Sequence, residues 1–376
     1  MVLERFRPGR GGTGRPDLTL ALLAVILSLV GLIAIYSASW VIALERFDNL
    51  YYYLSRQAVA LVAGLILMII CASLDYQIWK RLAPAGFLIT LLLLTAVLTP
   101  LGTELGGARR WIDLGPVLFQ PSELAKLAFI VYLAAWFEKR AELLSHWRHG
   151  FLPFLVATGV ISALIILQPD IGTMMVLALT AMTMAFVAGA KAVHLLYAGF
   201  LGAVAAVTLV LVEPYRIQRL LTFLKPSELL GSAYHINQSL LAVGSGGLFG
   251  RGFGQSIQKH LYLPTPFTDS IFAIIAEELG FLRAGAILAL LLWLAIRGYR
   301  IARGAPDDFS RLLATGITSW LIIQASINLG SMLGVLPLTG VPLPFISYGG
   351  SSIIFTLAGV GILLSISRHS VYERRA

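Results

Sequence analysis

Three carboxylates stand together in the stretch TDSIFAIIAEELG, residues 268–280, beside an apolar run: Asp269, Glu277 and Glu278. Asp269 and Glu277 are eight residues apart in the sequence, which corresponds to roughly 12 Å along a straight helix. The two carboxylates of a glycoside hydrolase lie about 5–9.5 Å apart. The spacing therefore favours a reaction that needs one carboxylate base over a hydrolysis that needs two.

One carboxylate is enough when a hydroxyl attacks and the departing group is stable as an anion. Attack of a sugar hydroxyl on a sugar diphosphate is of this kind, because the acid takes the hydroxyl proton and nearby cations receive the diphosphate. Asp269 is the candidate base. Prolines precede it, so it also suits the N-cap of a helix, and the residues alone leave base and cap equally open. Glu277 and Glu278 could orient cations or pair with Arg283.

Candidate cations precede and enter another apolar segment. Arg109 and Arg110 stand before Trp111 at a predicted outer boundary of the membrane. Glu123 and Lys126 fall inside the segment, three residues apart and able to face one another. A lysine in the middle of a membrane helix costs about 2.5–3.5 kcal/mol, so it usually faces a partner or a cavity. Either the Glu123–Lys126 pair only neutralises itself, or Arg110 and Lys126 form an anion site that suits phosphate oxygens.

The elements that position these residues are predicted to be membrane helices. Of the 376 residues, 58% are hydrophobic and 12% are charged, against roughly 25% charged in soluble domains. Uncharged stretches of about 20 residues, enough to cross the hydrocarbon core, recur along the chain. The longest uncharged run, 312–367, is interrupted by prolines and glycines. We predict an all-α polytopic membrane protein with ten transmembrane helices, at 18–44, 57–74, 82–103, 118–137, 150–169, 171–190, 192–212, 279–297 and twice within 312–367.

The basic residues predict the orientation of these helices. The amino-terminal tail, residues 1–16, carries four arginines, and the segments on its side of the membrane hold most of the lysines and arginines, which favours cytoplasmic termini. The net charge of +9 follows from this bias and requires no nucleic-acid partner. This orientation places a large extracytoplasmic loop, 213–270, between helices 7 and 8. We predict that residues 335–352 form an apolar, re-entrant-like loop, because their prolines and glycines interrupt the helix. Non-helical apolar backbone near a membrane must be buried in protein or line a cavity.

Two further features bear on ligands. The glycine-rich stretch 242–259 is expected to permit tight turns and close backbone approach, and it follows no strand of the kind that precedes a nucleotide-binding loop. The histidines show no cluster on the outer side, so no cofactor is predicted with certainty, the metal site is unknown and a divalent cation requirement is left open. The single cysteine, Cys71, excludes an internal disulfide framework.

Five stretches carry a family resemblance, namely GARRWIDLGPVLFQPSELAKLAF, LQPDIGT, QSLLAVGSGGLFGRGFGQSIQKHLYLP, TDSIFAIIAEELGF and TGVPLPFISYGGSS. Together, in this order and across nearly the whole chain, they resemble the SEDS family of polytopic peptidoglycan polymerases, FtsW, RodA and SpoVE. The pair Arg109 and Arg110 before Trp111, and QKHLYLP at 258–264, are most similar to the FtsW branch. The resemblance implies one integral membrane domain over residues 1–376, multi-pass in the bacterial cell membrane.

The resemblance also implies an activity. SEDS proteins are inverting glycosyltransferases that join the disaccharide-pentapeptides of lipid II and release undecaprenyl diphosphate, in cell division or elongation. They work with a class B penicillin-binding protein, which is a transpeptidase. The acid of the family's TD motif falls on Asp269, the implied catalytic base. Four basic residues are predicted to bind substrate: Arg109, Arg110, Lys126 and Lys259. Four other residues are predicted to support them: Glu123, Glu277, Glu278 and Trp111.

The chain departs from the family pattern around Asp269. The family commonly reads YLPE-x-HTDFIFA, whereas here Thr265 replaces the glutamate, Phe267 the histidine and Ser270 the phenylalanine. The implied base is retained. The lost glutamate and histidine can no longer orient substrate or tune the acidity of Asp269.

Two other classes of protein fit the same residues. A carrier that flips lipid II would also hold acids inside the membrane, near its midplane. A non-catalytic scaffold that recruits the penicillin-binding protein fits the altered motif. The acids of this chain cluster towards the predicted outer boundary, which favours chemistry at the outer face.

Overall fold

The computed structural model describes residues 14–105, 107–113, 115, 118–212, 217 and 232–370. Residues 1–13 of the predicted tail, and 213–216 and 218–231 of the predicted loop, lie outside the described residues. The structure is mostly helical, as predicted, with helices α1 Leu18–Phe47, α2 Tyr52–Ser73, α3 Gln77–Val97, α4 Pro121–Arg140, α5 Leu152–Ile166, α6 Ile171–Val187, α7 Ala192–Val212, α8 Ser232–Ser245, α9 Ile271–Arg303, α10 Asp308–Met332 and α11 Gly350–Ser367. A 3-10 helix, Glu142–Ser145, and a π-helical turn, Trp147–Phe151, join α4 to α5.

Seven of the described helical segments are long and apolar enough to cross a membrane. They are α1, α2, α3, the π-helical turn together with α5, α9, α10 and α11. Two shorter apolar segments, Ile171–Val187 and Ala192–Thr208, and the charged helix α4 stand at the positions of the three other predicted spans. The chain is therefore a multi-pass membrane protein.

The prediction of an all-α protein is wrong at one place. The chain after α3 forms a three-stranded antiparallel sheet with strands β1 Gly102–Leu105, β2 Ala108–Asp113 and β3 Leu118–Phe119, in the order β1-β2-β3. The predicted span 82–103 consequently ends early, at Val97. Pro100 and the polar residues after it cannot continue an apolar helix, so neighbouring strands satisfy their backbone groups instead.

Helix α1 begins and helix α11 ends on the same side of the bundle. Before α1, the Gly14 amide donates to the Arg368 carbonyl at 2.7 Å, and the Asp17 amide donates to Ser367 Oγ at 2.9 Å. The Asp17 carboxylate also pairs with Arg297 of α9, with 2.6 Å between Oδ2 and Nη2. We call this side the terminal end.

Residues 333–349, which we call the central loop, join α10 to α11 at the opposite end. Val341, Leu343 and Ile346 are buried, although this backbone is not helical. The Gly349 amide donates to Gln57 Oε1 of α2 at 3.1 Å, and Gly31 of α1 lies so close to the loop backbone that a methyl group would collide with it. Non-helical backbone is tolerated at membrane depth when protein surrounds it, and the central loop meets that condition.

Helix α9 is broken at Gly280, whose φ of 79° and ψ of 174° are not helical. A side chain there would collide with the Gly250 amide, so only glycine allows the approach. The break frees backbone groups that the glycine-rich stretch satisfies, with the amides of 251–252 donating to the carbonyls of 277–278 and the amides of 281–282 donating to the carbonyls of 247–248. The expected close backbone approach is confirmed.

Candidate active site

Asp269 lies on the turn that precedes α9 and is half-buried. Its Oδ1 accepts hydrogen bonds from Thr265 Oγ1 at 3.0 Å and from Thr268 Oγ1 at 2.9 Å. The N-cap of α9 is Ser270, not Asp269, and the cap position makes no side-chain hydrogen bond. Asp269 is therefore not the helix cap that the sequence left open, and its carboxylate is directed by two hydroxyl groups.

Asn328 of α10 holds the backbone of this turn. Its Nδ2 donates to the carbonyl of Asp269 and to that of Val341 in the central loop, both at 2.8 Å. Asn328 is 1% exposed. This buried amide therefore ties the turn with the acid to the central loop, and the sequence reasoning missed it. A polar side chain in the middle of a predicted span was the available signal.

Gln324, one turn before Asn328, continues the connection to Lys126. Its Nε2 donates to the Pro342 carbonyl at 2.9 Å, while its Oε1 accepts from Lys126 Nζ at 2.7 Å and from Trp320 Nε1 at 2.8 Å. One face of α10 thus links the Asp269 turn, the central loop and the lysine of α4. Gln324 was likewise missed.

Glu123 and Lys126 do pair, with 2.8 Å between Lys126 Nζ and Glu123 Oε1 and 2% exposure of each side chain. The ammonium also lies 5.2 Å from the centre of the Trp320 ring, a cation–π arrangement. Within the described residues, Glu123 Oε2 is buried without a hydrogen bond, and the ammonium has two acceptors for its three donors. Lys126 also lines a cavity of about 10 Å³, the size of one water. The two charges neutralise each other, but one oxygen of Glu123 and one N–H of Lys126 have no hydrogen-bond partner among the described residues.

The two arginines of the sheet differ in their partners. Arg110 donates through Nε to the Gln168 carbonyl at 3.0 Å and through Nη2 to the Pro169 carbonyl, both in the turn before α6. Arg109 is exposed and meets Glu104 across the β1–β2 pair at 3.4 Å. The structure therefore brings Arg110 against backbone carbonyls, beside α6, and leaves Arg109 on the surface. Trp111, which follows them in β2, is half-buried.

Lys259 lies in a second buried charged pair. Its Nζ is 2.9 Å from Glu278 Oε1, 2.6 Å from the Gly254 carbonyl and 3.5 Å from Ser37 Oγ, and its side chain is 0% exposed. The ring of Trp40 lies 5.7 Å from the ammonium. No hydrogen bond between the described residues joins this network to Asp269. The ammonium of Lys259, predicted to contact substrate, is thus enclosed by groups of the protein.

Glu277 and Glu278 bind the glycine-rich stretch to α9. Glu277 accepts from Ser256 Oγ at 2.5 Å and from the Ile257 amide at 3.0 Å, and Arg251 Nε lies 3.7 Å from its Oε1. Arg283, considered as a partner for these acids, donates to the Phe249 carbonyl instead, at 3.2 Å. Glu277 thus holds the backbone at 257–258, while Glu278 accepts from Lys259 and from Ser37 of α1.

The three departures from the family motif each make a defined contact. Thr265 donates to Asp269, as described above. Phe267 packs against Tyr53 and Tyr348, with ring centroids 4.2 and 5.6 Å away. Ser270 Oγ lies 2.5 Å from Nε2 of His235 in α8. The turn is held by these substituted residues. Among the described residues, no group of three or more histidine, cysteine, aspartate or glutamate side chains is placed to hold a metal ion.

The fold and this site define a class: a multi-pass membrane protein with an accessible aspartate at one end of the bundle, tied through α10 to a buried charged pair. The chain belongs to the FtsW/RodA/SpoVE family, whose model, described as "Cell cycle protein", matches residues 17–372. Stage V sporulation protein E of Bacillus subtilis (strain 168) is 45% identical over 359 residues, covering 95% of this chain and 98% of that protein. The "Probable peptidoglycan glycosyltransferase FtsW" of Geobacter sp. (strain M18) is 40% identical over 353 residues, covering 93% and 96%.

Solved structures share the fold. The crystal structure of the rod shape determining protein RodA of Thermus thermophilus matches with a TM-score of 0.70 and 32% identity, covering 95% of this chain and 98% of that one. A chain of a peptidoglycan synthase complex, described for its structural coordination of polymerization and crosslinking, matches with a TM-score of 0.80 at the same identity and coverage. The resemblance to the SEDS family is confirmed. Relatives named SpoVE, FtsW and RodA all match, so the FtsW branch stays a prediction.

Proposed function

We propose that this protein is a peptidoglycan glycosyltransferase that polymerises lipid II into glycan strands. In the proposed step, Asp269 accepts the proton of the 4-hydroxyl of the acceptor sugar while the hydroxyl oxygen bonds to the anomeric carbon of the donor. The bond from that carbon to the diphosphate breaks, the anomeric configuration inverts and undecaprenyl diphosphate departs. The names of the relatives, which include a probable peptidoglycan glycosyltransferase, support this assignment.

The observation that carries the proposal is the environment of the Asp269 carboxylate. It caps no helix, it is half-buried, and among the described residues it has no ion-pair partner. Two threonine hydroxyls hold Oδ1, which leaves Oδ2 to receive a proton. A general base needs this combination of fixed geometry and access.

We propose that Lys126 and Arg110 stabilise the departing diphosphate, with Arg109 as a more exposed contact and Trp111 and Glu123 as their supports. Lys126 has an N–H donor beyond its two acceptors, and Arg110 uses two of its five donors on carbonyls. Fixed cations of this kind hold the diphosphate of the bound donor and stabilise the negative charge that it gains as the leaving group.

For Lys259, Glu277 and Glu278 we propose a supporting role and not a substrate contact. The donors of Lys259 are already matched by three acceptors inside the protein. The network instead fixes the glycine-rich stretch to α9.

We propose the predicted topology for the whole chain, one integral membrane domain over residues 1–376. Helices α4, α6 and α7 would complete the seven apolar segments to ten spans, and both termini would be cytoplasmic. The terminal end then faces the cytoplasm, and Asp269 and the central loop face the outside of a bacterial cell membrane. The loop 213–270, between the seventh and eighth spans (α7 and α9), is then extracytoplasmic, and α8 belongs to it. The central loop corresponds to the predicted re-entrant-like segment, residues 335–352.

The proposed partner is a class B penicillin-binding protein, whose transpeptidase would crosslink the strands in cell division or elongation. The similarity to a chain of a synthase complex that coordinates polymerization and crosslinking supports this.

The proposed function is tested by incubating the purified protein with labelled lipid II, with and without its transpeptidase partner, and separating the products by length. We expect glycan strands from the native protein and none from Asp269→Ala. Asp308→Ala is the matched control, because Asp308 is an exposed acid that pairs with Arg311 near the terminal end. Strands of equal yield from Asp269→Ala would remove Asp269 from the mechanism. Lipid translocation without polymer would identify a carrier, and recruitment of the partner without either activity would identify a scaffold.

A further inference from the structure

A run of aromatic rings begins at the turn between α1 and α2. Asp48 adopts a left-handed conformation, with φ of 49°, and the Asn49 side chain accepts from the Tyr51 amide at 2.9 Å. This tight turn brings Phe47 and Tyr52 together, with ring centroids 3.6 Å apart and planes 7° from parallel. Phe47 is 43% exposed, so this stacked pair lies at the surface of the protein.

The run continues inward to the candidate base. The ring of Tyr53 meets Phe47 and Tyr52 edge-on, at centroid distances of 5.8 and 5.2 Å. On its other side, Tyr53 lies 4.2 Å from the ring of Phe267, and both residues are buried. Phe267 stands two residues before Asp269 on the same turn, and its carbonyl accepts from the Tyr348 amide at 2.9 Å. The surface pair is thus connected by direct contact to the turn that carries the acid.

An arginine accompanies the surface pair. Arg56 is exposed, and its guanidinium carbon lies 4.6 Å from the centre of the Tyr52 ring. In the described part of the chain, Arg56 forms no ion pair.

We propose that Phe47, Tyr52 and Arg56 form a saccharide subsite that binds the acidic sugar–peptide portion of the substrate beside Asp269. This inference rests on the proposed function. Phe47 covers one face of the Tyr52 ring and the Arg56 guanidinium covers the other, so the ring that can receive a sugar is that of Phe47, which is 43% exposed. A pyranose ring presents a face of C–H groups, and the negative face of an aromatic ring attracts such groups. An arginine fork next to the rings suits a carboxylate, which it can bind through two parallel hydrogen bonds. The fitting ligand is therefore a disaccharide that bears a peptide with free carboxylates.

The experiment measures binding without catalysis. The probe is a soluble disaccharide-peptide that lacks both lipid and diphosphate, titrated into the purified full-length protein by calorimetry. We expect Phe47→Leu to weaken binding about tenfold, from the loss of an aromatic contact, and Phe47→Tyr to bind as the native protein does. Arg56→Gln should weaken binding of the acidic probe and leave binding of the same probe with amidated carboxyl groups unchanged.

The matched control is Tyr51→Leu. Tyr51 belongs to the same turn and is 55% exposed, but its ring stacks on Tyr36, at 5.9 Å. If the turn is only an aromatic belt at the membrane interface, Tyr51→Leu and Phe47→Leu will have equal effects, and the subsite is overturned. An Arg56→Gln effect of equal size on both probes would overturn the carboxylate contact.

A polymerisation assay on the same variants separates this inference from the proposed function. If the native protein makes strands but no variant changes probe binding, the subsite fails and the polymerase assignment stands. If the native protein makes no strands but binds the probe through Phe47 and Arg56, the polymerase assignment fails and the subsite stands.

Discussion

Two buried lysine–glutamate pairs, Lys126 with Glu123 and Lys259 with Glu278, have much in common. The lysine nitrogen lies 2.8 Å from the glutamate in the first pair and 2.9 Å in the second. Each ammonium also faces a tryptophan ring, at 5.2 and 5.7 Å. All four charged side chains are at least 97% buried. By composition and burial, the two pairs are close to equivalent.

The pairs differ in how completely their hydrogen bonds are made. Both oxygens of Glu278 accept from Ser37 Oγ, and Lys259 has three acceptors for its three donors. Glu123 Oε2 accepts no hydrogen bond from the described residues, and Lys126 lines a cavity. A buried charge with all its partners rigidifies the fold, whereas one with a partner missing stays available to a ligand. We therefore propose that the Lys259–Glu278 pair stabilises the structure and that the Glu123–Lys126 pair serves substrate binding.

The largest expected effect comes from breaking the completed pair. Lys259→Met should lower the free energy of unfolding by about 3–5 kcal/mol, because it leaves the buried carboxylate of Glu278 without its counter-charge. Denaturant unfolding of the purified protein in detergent measures this. The double variant Lys259→Met with Glu278→Gln removes both charges and should lose clearly less. Native stability in Lys259→Met would refute the structural assignment.

Breaking the incomplete pair should affect catalysis more than stability. We expect Lys126→Met to raise the lipid II concentration at half-maximal rate by about 10–100-fold, the effect of losing one hydrogen bond from a charged group to the diphosphate. Its loss of unfolding free energy should be smaller than that of Lys259→Met, since one oxygen of Glu123 already has no hydrogen bond. An unchanged dependence on lipid II concentration would contradict the anion site.

The glutamates sharpen the comparison. Glu278→Gln removes the counter-charge of Lys259 and turns one of the two oxygens that receive the Ser256 amide, the Ser37 hydroxyl and Lys259 into an NH2 donor. Glu123→Gln can place its new NH2 group at the oxygen that has no partner. We expect Glu278→Gln to be more destabilising than Glu123→Gln by about 1–3 kcal/mol. Equal losses in parallel unfolding curves would show that the missing hydrogen bond does not distinguish the pairs.

The smallest expected effect comes from the hydrogen bond between the neutral Thr265 hydroxyl and Asp269. Thr265→Val removes one of the two hydroxyl donors to Asp269 and retains Thr268. A neutral hydrogen bond contributes about 0.5–1.5 kcal/mol. The polymerisation rate should therefore fall by about three- to tenfold. Thr95→Val is the control, because that hydroxyl bonds only the carbonyls of its own helix. If Thr95→Val lowers the polymerisation rate more than Thr265→Val does, the Thr265 hydrogen bond does not support catalysis.

The helices could be predicted from the sequence because apolar length is a local property. The central loop was predicted from its proline and glycine positions for the same reason. The break of α9 at Gly280 was not predicted, because it depends on the close approach of the glycine-rich stretch in the folded protein. The short sheet was missed because strands of two to six residues leave little pattern in a polar connection.

The site could be predicted only in part. Asp269 and the Glu123–Lys126 pair stood out as charges in or beside apolar segments. The role of Lys259 could not be predicted, because its partners Ser37 and Glu278 come from α1 and α9 and meet only in the folded protein. Asn328 and Gln324 were missed because an amide carries no charge, and its value depends on which carbonyls lie opposite.

The central claim, that Asp269 is the base, is tested most directly by the rate of strand formation as a function of lipid II concentration in Asp269→Asn. This variant keeps an oxygen that Thr265 and Thr268 can hold, but it cannot accept a proton. We expect the maximal rate to fall by about 10²–10⁴-fold, with the half-saturating concentration unchanged. A maximal rate within a few-fold of the native value would contradict the account.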